Sequence, residues 1–130
     1  MLTHKKVLQY MAGSDRIAST TESVSGDGET AYDGVIPTSG TPNVEIDVAF
    51  AFANVKSLVL YSSQAMTLKT NSSGAPDDTI VIPAGGAIVW NTNDVAACPF
   101  TANVTKIYAT NGSASVTATL RIRVLLDVTP

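Results

Sequence analysis

Reactive side chains are scarce in this sequence. It has one cysteine, Cys98, and one histidine, His4. A single cysteine excludes an internal disulfide, and one of each excludes a zinc site built from several Cys and His ligands. As a nucleophile Cys98 would need a nearby base, and His4 lies far away along the chain. Cys98 therefore reads as a small buried or half-buried apolar side chain. The motifs GxSxG, HExxH, GxxxxGK[ST] and CxxC are all missing. No nucleophile, base and orienter can be assembled from the sequence, so no enzyme, catalytic residue or cofactor is expected. Charge is sparse as well, at 15% of residues with a net −3, which leaves no clustered basic face for nucleic acid. Aromatics are only 6%, few for the sugar-lined cleft of a glycoside hydrolase.

Long apolar runs are also missing. The longest charge-free stretch, TIVIPAGGAIVWNTN, is broken by Pro83 and by Gly85-Gly86, so no membrane-spanning helix is expected. The start, MLTHKKVLQYMAGSDR, has charge but no continuous apolar segment of the signal-peptide kind. Synthesis in the cytoplasm and no membrane partner are the expectations. Helical periodicity is the last absence, because apolar residues nowhere recur at three-to-four spacing.

What is present is period two. The stretch VEIDVAFAF puts Val44, Ile46, Val48, Phe50 and Phe52 on one face and reads as one long half-buried strand. Near the C-terminus Val116, Ala118, Leu120, Ile122, Val124 and Leu126 alternate with Thr117, Thr119, Arg121, Arg123 and Leu125. A strand of about a dozen residues spans roughly 40 Å. Burying its apolar face contributes on the order of 10 kcal/mol before entropy. Turns are expected at Ala53-Asn54 and in NSSGAPDD, and a hairpin tip at Asn111-Gly112. Eight to ten strands follow from this spacing, and the fold class is all-β: an antiparallel, jelly-roll-like β-sandwich.

The chain divides into residues 1–40, acidic and read as flanking strands or as a docking arm, and a sandwich body over residues 41–130. From Asp15 to Asp47 there are seven acids and one base, Arg16. Arg121 and Arg123 lie side by side on the closing strand, suited to contacting acids such as Glu45 and Asp47 across a subunit or partner interface. Asp77, Asp78 and Asp94 lack the alternating spacing of a calcium loop, and no metal site is expected. Trp90, with Phe100 nearby, reads as a plug at one end of the core; the alternative is a sugar platform of Trp90 and Asn93. Three N-glycosylation patterns begin at Asn71, Asn103 and Asn111, and fit polar turns equally well.

The stretches Lys56–Leu60, Met66–Asn71, Pro76–Ile80, Ile88–Trp90, Pro99–Asn111 and Leu120–Asp127 form a series: KSLVL, MTLKTN, PDDTI, IVW, PFTANVTKIYATN and a strand closing in Leu-Asp. This series, about 70 residues long, resembles small β-sandwich virion structural proteins of tailed bacteriophages. The resemblance implies an auxiliary capsid protein, of the decoration or cement type, on the outer capsid surface. It also implies the major capsid protein and further copies of the chain, as a homotrimer, as partners. The alternative it leaves is a tail or fibre module that binds carbohydrate.

Overall fold

A computed structural model describes residues 2–128. Ten strands run in order: β1 Leu2–Ala12, β2 Asp15–Gly26, β3 Gly28–Ile36, β4 Val44–Ile46, β5 Val55–Ser62, β6 Met66–Thr70, β7 Thr79–Ile82, β8 Gly86–Asn91, β9 Ile107–Asn111 and β10 Ala118–Leu126. A short 3₁₀ turn at Phe52–Asn54 precedes β5, where the Ala53-Asn54 turn was expected.

From Gly28 onward the ladders nest. β3 pairs with β10, β4 with β9, β5 with β8 and β6 with β7, all antiparallel. The chain is thus a ribbon doubled on itself, bent at the loop between β6 and β7. Rolling that ribbon lets β10 also pair with β5 and β9 with β6. Two four-stranded sheets result, ordered β3-β10-β5-β8 and β4-β9-β6-β7. Their inner faces pack as a β-sandwich, the architecture that the alternating pattern predicts.

β10 is the spine. Ala118, Leu120, Ile122 and Val124 point inward and are fully buried among Leu58, Leu60, Met66, Leu68, Ile82 and Ile107. The strand is shorter than its alternation suggests. Val116 is 49% exposed and lies before it, in the connection that carries the chain from one sheet to the other. Asn111-Gly112 is accordingly no hairpin tip, since β9 and β10 belong to different sheets. The buried Asn111 side chain shapes this crossover, its Nδ2 donating to Val116 O (2.8 Å) and its Oδ1 accepting from Ser113 N (2.8 Å).

The strand expected over residues 44–52 pairs only to Ile46. Burial still alternates through Val48 and Phe50, but Phe50 makes one isolated bridge, to Val104. Phe50 meets Phe100 edge to face at 5.1 Å, so side-chain packing holds this segment where the ladder stops. The NSSGAPDD loop is held by Asn71 (φ 69°), which donates to Asp77 Oδ2 (2.6 Å) and accepts from Thr105 N (2.8 Å). Asp78 accepts from both the N–H (2.8 Å) and the hydroxyl (2.7 Å) of Thr101.

β1 and β2 stand apart as a two-stranded sheet. Gly13-Ser14 forms their tight turn, with Gly13 at φ +63°, a conformation that glycine adopts without a Cβ clash. The first forty residues therefore hold both a separate hairpin and, in β3, an edge strand of the sandwich. Replacing Ile122 by Asp puts an unpaired charge at the sheet interface, and should abolish the cooperative thermal transition seen by circular dichroism.

Candidate functional site

The outer face of the β3-β10-β5-β8 sheet is laid out by its register. One row across it is Glu29, Leu125, Ser57 and Asn91; the next is Ala31, Arg123, Val59 and Val89; the third is Asp33, Arg121, Tyr61 and Ala87. Leu125 belongs to this outward face, yet it is 0% exposed. The base of the β1–β2 hairpin covers it. A Cβ on Gly26 would stand 2.4 Å from the Leu126 carbonyl oxygen and 3.0 Å from Leu125 Cγ, so only glycine lets the hairpin approach β10 this closely.

From Gly26 the hairpin runs across the strands and is tied to each in turn. The His4 ring bridges Ser57 Oγ on β5 (Nδ1, 2.9 Å) and Glu29 Oε2 on β3 (Nε2, 2.7 Å). Farther along, Lys6 donates to Asp94, just beyond β8, and lies 3.4 Å from Glu22. Asn91 Nδ2 on β8 donates to Glu22 Oε2 (2.9 Å). β8 is the edge of the sheet, and past it every residue from Val7 to Thr21 is exposed. The hairpin is thus half clamp and half overhang.

Ser57, His4 and Glu29 have the connectivity of a nucleophile, a base and an orienting acid, a set that sequence reasoning did not assemble. They come from three strands, 53 and 25 residues from the histidine, so no spacing signal announces them. Their placement favours seating over catalysis. Ser57 is 5% exposed beneath the hairpin, on a central strand paired on both sides, where ladder bonds consume the backbone N–H groups an oxyanion would need. What the three groups do physically is satisfy one another where the hairpin buries them.

Lys6 and Asp94 form the second tie. The hydrogen bond from Lys6 is the main reason the Asp94 carboxyl sits below the usual carboxylate range; burial opposes it and the Asn91 N–H assists. The bond to Asp94 likewise holds the Lys6 ammonium above its ordinary value.

Of the interface residues expected from sequence, Arg121 and Arg123 lie on β10 and Glu45 on β4 of the other sheet, with Asp47 just past the end of β4. Arg123 forks onto Asp33 (Nη1–Oδ1 3.0 Å), and Arg121 Nε lies 3.9 Å from the same carboxylate. Glu45 pairs instead with Lys106 (2.7 Å), which is 3.8 Å from Asp47. Trp90 packs against the core and donates from Nε1 to Ala96 O (2.8 Å), while Asn93 N donates back to Asn91 Oδ1 (2.9 Å). Cys98 also packs on the core, and burial raises its thiol pKa. Among the described residues no three His, Cys, Asp or Glu side chains gather as metal ligands, and no helix is long and apolar enough to cross a membrane.

Between the hairpin and the sheet lies an open groove. Its inner part, about 280 Å³, is walled by Thr3–Lys6 of β1 and floored by Val59 and Val89. A second, wider hollow of about 620 Å³ continues it along the sheet face through Val59 and Arg123 and is lined there by Val59, Tyr61, Ser63, Thr119, Arg121 and Arg123, with no hairpin residue. Comparison with protein-family models, with curated proteins and with solved structures found no match for this chain.

Two outcomes follow for the clamp. Leu125→Ala should cost about 2–5 kcal/mol of stability, the range for a buried leucine. Its effect should concentrate in faster amide exchange over residues 2–6 and 22–26. For the ion pair, a depressed Asp94 pKa means stabilisation that is whole above about pH 4, the ordinary carboxylate value, and lost as pH falls through the lower folded value. The melting-temperature difference between wild type and Lys6→Ala should therefore be constant through neutral pH and shrink below pH 4.

Proposed function

We propose that this chain is a virion structural component of a tailed bacteriophage, a decoration protein that binds the outer capsid surface and stabilises the shell without performing a reaction. Overhang of the hairpin carries this reading. A two-stranded ribbon is marginal in water on its own, and this one presents Val7, Leu8, Tyr10, Met11 and Ile17 to solvent. Apolar surface so displayed marks a contact that the isolated chain leaves unmade.

The rest of the molecule suits that role. A stiff sandwich with a satisfied interior transmits force, and among the described residues no buried side-chain N or O atom lacks a hydrogen-bond partner. The nested strand order supports reading the sandwich as a jelly roll, an architecture used by viral capsid and lectin domains. Partners on this reading are the major capsid protein and further copies of the chain. Its mechanism is mechanical: many copies bridge neighbouring shell subunits and add binding free energy against the pressure of packaged DNA. The inward-turned Trp90, whose indole N–H is already bonded, weighs against the carbohydrate-binding alternative.

Quantitative mass spectrometry of purified phage particles tests this directly. The chain should appear in copy number proportional to the capsid protein and leave the particles when the shell is dissolved. Its absence from particles, or presence only in isolated tails, contradicts the proposal.

A further inference from the structure

We propose that two copies of the chain exchange hairpin overhangs, each arm lying in the partner's groove with its β1 alongside the partner's β1. This goes beyond the decoration role and holds whatever surface the protein decorates. Four observations place a second copy there.

The first is the groove's wall. It is formed by β1 alone, since Thr3, His4, Lys5 and Lys6 line it and no β2 residue does. Among the described residues β1 pairs only with β2, so its groove-facing edge presents backbone N–H and C=O groups that an added strand would satisfy.

The second is the arm's underside. Its inner face at the base, with His4, Lys6, Glu22 and Val24, already packs on a sheet of this kind. By strand alternation that face continues into Leu8, Tyr10 and Ala18 beyond the sheet edge. Leu8 is 55% and Tyr10 64% exposed, and the groove floor offers them Val59, Val89 and Tyr61.

The third is length. Val7 to Ala12 spans about 20 Å at ~3.3 Å per residue, and a four-stranded sheet is about 19 Å wide at ~4.8 Å per strand. One arm crosses one sheet.

The fourth is direction. Each arm leaves over β8, which is also the open end through which a partner's arm enters. An antiparallel pair satisfies both at once, with the twofold axis where the arm leaves its own sandwich, near Val7. The result is a closed, isologous dimer with a continuous β2-β1-β1-β2 layer across both sandwiches. Charge agrees with this placement: the arm tip carries Asp15 and Arg16, and the far side of the groove carries Arg121, 64% exposed, beside Asp33.

Light scattering on the full chain tests the pairing, together with cysteine cross-linking in a Cys98→Ser background. The wild type should have the mass of a dimer. The double variant Leu8→Ser, Tyr10→Ser should be monomeric and still melt cooperatively, at the temperature the wild type shows once diluted to monomer, because those side chains lie outside the core. Val7→Cys, near the axis, should cross-link copies under mild oxidation, whereas Ser14→Cys at the tip should not. A monomeric or trimeric wild type, a dimer indifferent to the double variant, or cross-linking through Ser14→Cys and not Val7→Cys would each overturn the proposal. A dimer that never associates with particles removes the decoration reading and leaves this inference standing; a particle-bound monomer does the reverse.

Discussion

Both faces of β10 are committed, and the molecule is organised by that fact. Inward, Ile122 and its neighbours lock the two sheets together; outward, Leu125 gives the hairpin something apolar to sit on. Were Leu125 polar, the base of β1–β2 would be held by the polar ties of His4, Lys6 and Glu22, contacts that compete with water and add little net stability. Gly26 completes the arrangement by removing the Cβ that would hold the ribbon away. One strand thereby closes a sandwich and fixes the angle at which an arm leaves it.

The clamp and the overhang divide the hairpin physically. Where it crosses the sheet, its polar groups find partners on β3, β5 and β8. Beyond the edge it keeps strand geometry with no surface beneath it. The face that half-buries Val24 over the sheet carries Leu8 and Tyr10 past its edge, so the contact made within the chain is continued by residues suited to a contact between chains. A fixed base also matters for association, because an arm already aimed loses less freedom on docking than a flexible tail.

Period-two alternation made the sandwich legible. It identified the inward set on β10 and the buried side of Val44–Phe50, because a strand with one buried face must write that burial into every second residue. It overran at Val116 and at Phe52, since alternation records which side is buried and is blind to where the ladder ends. Asn111-Gly112 looked like a hairpin turn locally; whether the next strand joins the same sheet is decided by distant packing. The tight turn at Gly13-Ser14 was readable as a glycine-first pair between two alternating segments, but the polar stretch after it obscured the hairpin. Leu125 was legible only as a misfit among arginines and threonines. The Ser57–His4–Glu29 cluster left no trace in the sequence, for its members meet only after three strands are placed.

Amide hydrogen exchange across the whole chain, at high and at low protein concentration, addresses the central claim most directly. Residues 3–6 and 22–26 should be protected at both concentrations along with β10, and residues 7–12 should gain protection only at the higher one. Rapid exchange throughout residues 2–26 at every concentration would contradict the account.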